Sequence, residues 1–362
     1  MGFLSNLFIK KEEEINTNAD FWNWFKNNER AFYKITKSGD NINKFHEPLS
    51  EKLNQLREGY FFLSGMLNDD TAELIITADG NIKNLVFVEQ LIADAPSIQG
   101  WKFTAHKPAL DIENVNISMN GYTFSDETLS FYAKEDKNFP DEIDIVVVNS
   151  DFTQENKEKI TVGTQIFLDN FLGEINFVTS IDNLTVIGKE DAIQELIPIE
   201  KLKAYLIWRE KEFVEKYESI TPNLENNTHS IFEYSYNSQP IVAVMNTDLL
   251  EWNEKASYPW IMKISIAYDG SYNNGMPNQM ISGLIDSAGD KITEQLENSN
   301  DYLYIGRETG CGTRDIFFAC KDFRKPSLIV DTLINQQTRF DINYSIYKDK
   351  YWMTFRSFQN LG

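Results

Sequence analysis

Trp260-Ile-Met-Lys-Ile-Ser-Ile-Ala-Tyr268 alternates, with Met262, Ile264, Ile266 and Tyr268 on one side and Lys263, Ser265 and Ala267 on the other. A period of two over nine residues predicts a half-buried strand. Asp269-Gly270 breaks it, and Pro277 is placed for a first helical turn, where its missing N–H costs nothing. Ile281, Leu284, Ile285, Ala288, Ile292 and Leu296 then recur at helical spacing as one apolar stripe, which Asn298-Ser-Asn300 ends.

Outward from that core the punctuation continues. Tyr302 to Ile305 reads as a short strand and Asp315 to Cys320 as its return. The stretch Gly306-Arg-Glu-Thr-Gly-Cys-Gly-Thr313 between them, with three glycines, reads as the hairpin connection. Pro326 opens a second helix with Leu328, Ile329, Leu333 and Ile334 inward, and Asp341 to Tyr347 alternates again. The order strand, helix, strand, strand, helix, strand predicts a ferredoxin-like antiparallel sheet with both helices on one face. The fold class is therefore α+β, and such a fold names no function by itself.

Trp252 through Pro259, Gly275-Met-Pro277, Gly306, Gly312-Thr-Arg314, Phe317-Phe318 and the closing Asp349-Lys-Tyr-Trp352 resemble a bacterial domain-of-unknown-function family, number 695. That family is similar in fold to the regulator of ribonuclease E activity B group. The resemblance covers roughly the last third of the chain. It rests on glycines, aromatics and a proline, so it implies a fold and carries over no catalytic residue.

A chain of 362 residues exceeds one small domain, and two are expected. Hydrophobic content of 42% and aromatic content of 13% suffice for packed cores and exclude a disordered chain. The formal net charge is −21, and it is uneven: residues 1–200 hold 34 of the 55 acidic side chains and 17 of the 34 basic ones. A surface of that sign repels phosphates and favours a basic partner; it also keeps a protein soluble. Two cysteines, Cys311 and Cys320, are too few for a secreted disulfide scaffold, so a reducing, cytoplasmic setting is expected. Met1 to Lys11 lacks the early basic segment and small-residue cleavage site of a signal peptide. It is also far too short to span a bilayer.

Residues 1–18 read as a lead-in and 19–200 as an acidic α+β domain. Asn18 is placed to cap a helix carrying Phe21, Trp24, Phe25 and Phe32, and a second helix runs from Asn43. Tyr60–Leu63 and Glu73–Thr77 pair across Asn68-Asp-Asp70; a short helix around Phe87 ends at Pro96; Trp101–Ala105 is the next strand. Val115–Met119, Leu129–Ala133 and Ile143–Val148 are further strands, the last apolar enough to be central. Glu155–Leu172 is helical, and Phe177–Ile187 returns as extended chain. Residues 201–230 are a charged helix and a polar linker, and 231–362 the ferredoxin-like domain.

The chemistry-bearing residues are sparse. His46, His106 and His229 show no metal-ligand spacing and read as surface or helix-start residues, so no metal and no cofactor is expected. Cys320 reads as a small buried hydrophobe and Cys311 as a loop thiol; a nucleophilic pair would need Cys311 to meet a distant histidine. The glycines at 306, 310 and 312 do not form a phosphate loop, since no Lys-Ser/Thr follows them. Arg307 and Arg314 flank the hairpin and suit an anion clamp, although pairing with Glu308 or Asp315 is the commoner use of such residues. Asp69-Asp70, and Asp111 with Glu113, are loop acids in no calcium-loop pattern. The candidate binding residues are therefore Arg307, Cys311, Arg314 and Trp352; no catalytic residue is assigned. Basic clusters interleaved with aromatics are missing, which argues against direct nucleic-acid binding.

These features favour a non-enzymatic, cytoplasmic interaction or regulatory protein, presenting a sheet face or the 306–314 hairpin to a protein partner. The acidic half would select a basic one, and the regulator resemblance implies restraint of an RNA-processing enzyme through its basic region. Two competing readings are an immunity-type neutraliser of a basic toxin and a hydrolase acting from an inter-domain cleft.

Overall fold

The computed structural model describes residues 14–224, 227–297, 300–336 and 339–359. The apolar start and the helix end at Asn298-Ser299 lie outside the described residues. The chain divides into two compact units, Met1–Pro108 and Ala109–Gly362.

The first unit runs α1 (Asn18–Ser38), α2 (Asn43–Leu56), β1 (Phe61–Asn68), β2 (Thr71–Thr77), α3 (Ile82–Ala93) and β3 (Trp101–Ala105). Thr17, not Asn18, caps α1: its hydroxyl accepts from the Asp20 N–H while the Asp20 carboxylate returns a bond to the Thr17 N–H. The aromatic stripe of α1 is core, with Phe21 and Phe25 fully buried and Phe32 stacked on Phe45 at 4.5 Å. The sheet has the order β1-β2-β3, antiparallel across the first pair and parallel across the second, with α3 as the crossover.

The second unit opens with the hairpin β4 (Ile117–Met119) and β5 (Tyr122–Phe124), then β6 (Leu129–Lys134) and β7 (Asp144–Asn149). Next come α4 (Lys157–Leu172), α5 (Glu174–Ser180), β8 (Asn183–Gly188), β9 (Ile197–Pro198) and α6 (Leu202–Tyr217). The four-stranded sheet has the order β8-β7-β6-β9, so the apolar run at 143–148 does occupy an interior strand. The extended return expected from Phe177 begins only at Asn183, because α5 continues the helical chain past Gly173. Gly163 of α4 lies against the fully buried ring of Phe124: a Cβ there would stand 2.0 Å from the ring's Cζ. A Gly163→Ala variant is therefore expected to lose about 1–3 kcal/mol from overpacking, despite the better helix propensity of alanine. A lower urea midpoint at unchanged slope would register it.

The remainder is β10 (His229–Tyr236), β11 (Gln239–Asn246), α7 (Thr247–Glu251), β12 (Trp260–Ala267), α8 (Gln279–Glu297), β13 (Tyr302–Gly310), β14 (Thr313–Cys320), α9 (Arg324–Gln336) and β15 (Ile342–Lys348). A 3₁₀ turn, Met353–Phe358, closes the described chain. The six-stranded sheet has the order β10-β11-β13-β14-β12-β15, with all neighbours antiparallel. The Tyr344 hydroxyl reaches the Ser327 carbonyl of α9 at 3.5 Å, and Gly289 of α8 packs on Ile316. Ile316 and Tyr344 both stand opposite Ile264 in register, so the two helices cover one face. The β10–β11 hairpin extends this sheet beyond the expected strands. Two details differ from the sequence reading. Pro277 lies ahead of α8 rather than in its first turn, and Asn278 caps the helix, its side chain accepting from the Ile281 N–H at 2.9 Å. In α9 Val330 is fully buried and Pro326 buried, while Leu328, Ile329, Leu333 and Ile334 are half-buried.

Residues 201–230, read as a charged helix and linker, lie within the second unit, which holds both its four-stranded and its six-stranded sheet. The link carries a polar network beside an aromatic contact, Phe139 on Tyr351 at 5.1 Å. The Lys350 ammonium donates to the Asp141 carbonyl and the Asp182 carboxylate at 2.6 Å each, and the Tyr351 hydroxyl donates to the Asp141 carboxylate at 2.7 Å. The helix α6 joins the same network, where Lys216 and Tyr217 donate to Asp141 at 2.7 and 2.8 Å. Among the described residues no helix is long and apolar enough to cross a membrane.

Candidate functional site

The face of the six-stranded sheet opposite α8 and α9 is covered over only part of its length. There, Tyr258, Ile261, Leu303, Phe317, Trp352 and Phe355 form an apolar cluster beneath α7 and the closing 3₁₀ turn. Towards the hairpin tips the cover ends, and the side chains turn polar. Phe232, Ala243, Glu308, Asp315, Ser265 and Asn343 stand opposite one another in register across all six strands. The last four of these line a cavity of about 450 Å³ with Lys263, Asp341, Tyr236 and Cys311.

A register irregularity between Tyr304 and Gly306 creates this row. It changes the parity of β13, so that Glu308 joins the face of Leu303 and Ile305. Arg307 is turned to the helix face with Arg314. Gly306 thus belongs to the strand, and the connection is only Cys311-Gly312, at φ of 52° and 76°. Two positive φ values in a two-residue loop match the twist of a tight hairpin.

The two carboxylates of the row have unequal partners. Asp315 accepts from Ser265 at 2.6 Å and pairs with Lys263 at 2.6 Å. Glu308 accepts from the neutral Tyr234 hydroxyl at 2.7 Å. Burial first, and the charge of Asp315 next, hold the Glu308 carboxyl above its ordinary range, against the Tyr234 bond and Lys263. Burial and the same glutamate push the Tyr234 hydroxyl well up, so this phenol stays a donor. The result is a partly desolvated carboxylate that, among the described residues, shares Lys263 only at a distance, since that lysine pairs with Asp315; it can accept a charged hydrogen bond from an ammonium or guanidinium.

The residues singled out from sequence do not converge here. Arg314 donates to Asp286 of α8 and, at 3.0 Å, to Thr309; Arg307 lies 4.0 Å from the same carboxylate. Both arginines are thus drawn to a helix carboxylate on the covered face, and the expected pairing with Glu308 or Asp315 does not form. Trp352 is fully buried, its indole N–H spent on the Tyr258 carbonyl at 3.0 Å, so it is a core residue rather than a binding one. Only Cys311, exposed at the turn, borders the cavity. Cys320 is buried, with its thiol pushed up by desolvation. His229 starts β10, at the far end of that strand from the Cys311 turn. His46 bonds to Ser64 at 2.8 Å, and His106 is buried rather than at the surface; both belong to the first unit. Among the described residues no group of three or more His, Cys, Asp or Glu is placed to hold a metal ion. Glu308 was legible in the sequence only as an arginine partner, because its face depends on a one-residue shift in register.

The site thus belongs to an α+β sheet platform that carries its open surface on the face away from its helices. Residues 229–359, the platform itself, match the model of a family of unknown function (DUF695). No curated protein and no solved structure matches the chain.

Proposed function

We propose that the platform at residues 229–359 is a protein-interaction module that receives a basic segment of a partner on the uncovered part of its sheet. The observation that carries this reading is the Glu308 carboxylate: three acids and one lysine line its cavity, and that lysine is already paired with Asp315. A lysine or arginine side chain entering the cavity supplies the missing charge. The net charge of −21 supports the same choice of partner by drawing basic surfaces inward. An RNA-processing enzyme restrained through a basic region, and a basic toxin, are two partners of this kind.

The test is calorimetric titration of the full chain with arginine- and lysine-rich peptides at low and moderate salt. A Glu308→Gln variant is expected to bind about tenfold more weakly, the loss of one charged hydrogen bond. The pH dependence has a definite sign. Binding needs the ionised form, and the Glu308 carboxyl is held above its ordinary range. Affinity should therefore fall on acidification before ordinary carboxylates titrate, and the variant should lose that early step. Equal affinity in variant and parent would remove the reading.

A further inference from the structure

A second cavity, of about 310 Å³, lies within the Ala109–Gly362 unit, between α5 and α6 on one side and the β14–α9 connection and the end of β15 on the other. Its charge is opposite to that of the chain. Lys321, Arg324, Lys348 and Lys350 line it, against Glu210 and Asp322, in a protein of net charge −21.

The two deepest of these cations share one carboxylate. Asp182 pairs with Lys348 at 2.7 Å and with Lys350 at 2.6 Å, and Asp182 itself does not line the cavity. Their other bonds go to neutral carbonyls, of Thr179 from Lys348 and of Asp141 from Lys350, at 2.6 Å each. Glu142 stands within electrostatic reach of Lys350, but its carboxylate accepts from Asn183 and also lies outside the lining. The Asp141 carboxylate also acts on Lys350, but it accepts from Lys216, Tyr217 and Tyr351 and lies outside the lining, so at the wall the two desolvated ammoniums are only partly neutralised, a costly arrangement away from water. The Lys350 side chain is only 4% exposed.

Beside the polar Asn176, Thr179 and Ser180, the rest of the wall is apolar and aromatic. Phe213 lies 4.8 Å beneath the Lys350 ammonium, and Trp260 packs on Phe323 at 4.9 Å. A compact cavity with apolar walls and a few converging charges is the usual form of a small-molecule site. We propose that this cavity binds a small anion with an apolar body, such as an aryl or alkyl carboxylate, its charge against Lys348, Lys350, Lys321 and Arg324 and its body against Phe213, Trp260 and Phe323.

The Lys350 ammonium is consistent with this. Burial first, and repulsion by Lys348 next, lower it to about 8. A bound anion favours the protonated form, so binding near that pH takes up a proton.

The probe is 8-anilinonaphthalene-1-sulfonate, titrated into the full chain by fluorescence, with uncharged N-phenyl-1-naphthylamine as its counterpart. One saturable site is expected for the anion, displaced by octanoate and not by octanol. The rim double variant Lys321→Gln/Arg324→Gln should weaken the sulfonate about tenfold, at roughly one power of ten for each 1.4 kcal/mol, and leave the neutral probe unchanged. Lys350→Met should abolish proton uptake, measured by calorimetry in two buffers near the pH where Lys350 titrates. If that core variant does not fold, the rim variant still decides. Equal sulfonate affinity in parent and rim variant, or octanol displacing the probe as well as octanoate does, would overturn the assignment.

Discussion

A Trp352→Ala variant is expected to lose about 3–5 kcal/mol of stability, read from urea titration of the Ala109–Gly362 unit. Two effects add at this position, and no third offsets them. The indole is fully buried against Tyr258 and Trp252, so truncation leaves a cavity the size of a bicyclic ring. Its N–H satisfies the Tyr258 carbonyl at 3.0 Å, which would lose that partner. The backbone sits at φ 53°, a conformation that alanine tolerates no better than tryptophan, so nothing is recovered. Trp352→Phe separates the terms: it keeps most of the apolar contact and should cost about 1–3 kcal/mol for the unpaired carbonyl. A loss under 1 kcal/mol for the alanine variant would mean that the cluster beneath the closing turn is not the anchor of the sheet.

The second large effect is expected at Asp182. Replacement by asparagine leaves the Lys348 and Lys350 ammoniums, 16% and 4% exposed, without the carboxylate they share. Breaking a buried pair from one side costs about 3–5 kcal/mol, because the remaining charge is stranded. Adding Lys350→Met to that variant should restore part of the loss, a result that simple side-chain truncation would not give. The pH dependence has a definite sign. Lys350 is held at about 8 in the folded chain against an ordinary 10.5. Below about 8 both states carry the proton, and the group adds no slope. Between the two values the unfolded chain binds more protons than the folded one, so this group's contribution to stability rises with pH across that window. Lys350→Met should remove the rise. A parent and variant with the same pH–stability slope there would contradict it.

Local pattern carried much of the fold and little of the site. The alternation of Trp260–Ala267 and Ile342–Lys348, and the stripe of α8, are imposed by one buried face each, and such faces are written in single residues. The β10–β11 hairpin was missed although Phe232, Tyr234 and Tyr236 alternate with Ile231, Glu233 and Ser235. Its outer strand β10 is the edge of the sheet with most of its side chains exposed, so no buried face imposes a hydrophobic period on it. The site depends on a single irregular residue step in β13, which sends Glu308 and Arg307 to opposite faces. No periodicity announces such a step. The second cavity depends on Asp182 and Lys350, 168 positions apart, and no local window contains both.

The shared carboxylate also constrains how this chain can change over time. The family match begins at residue 229, so it contains Lys348 and Lys350 but neither Asp182 nor Asp141. In any relative that carries the platform without the preceding four-stranded layer, selection to keep lysine at either position lapses. Where the layer is kept, the two lysines and the aspartate should be inherited as a set, and loss of one should be followed by loss of another. Comparing platform sequences with and without the layer therefore gives a historical record of which charges the junction cannot do without.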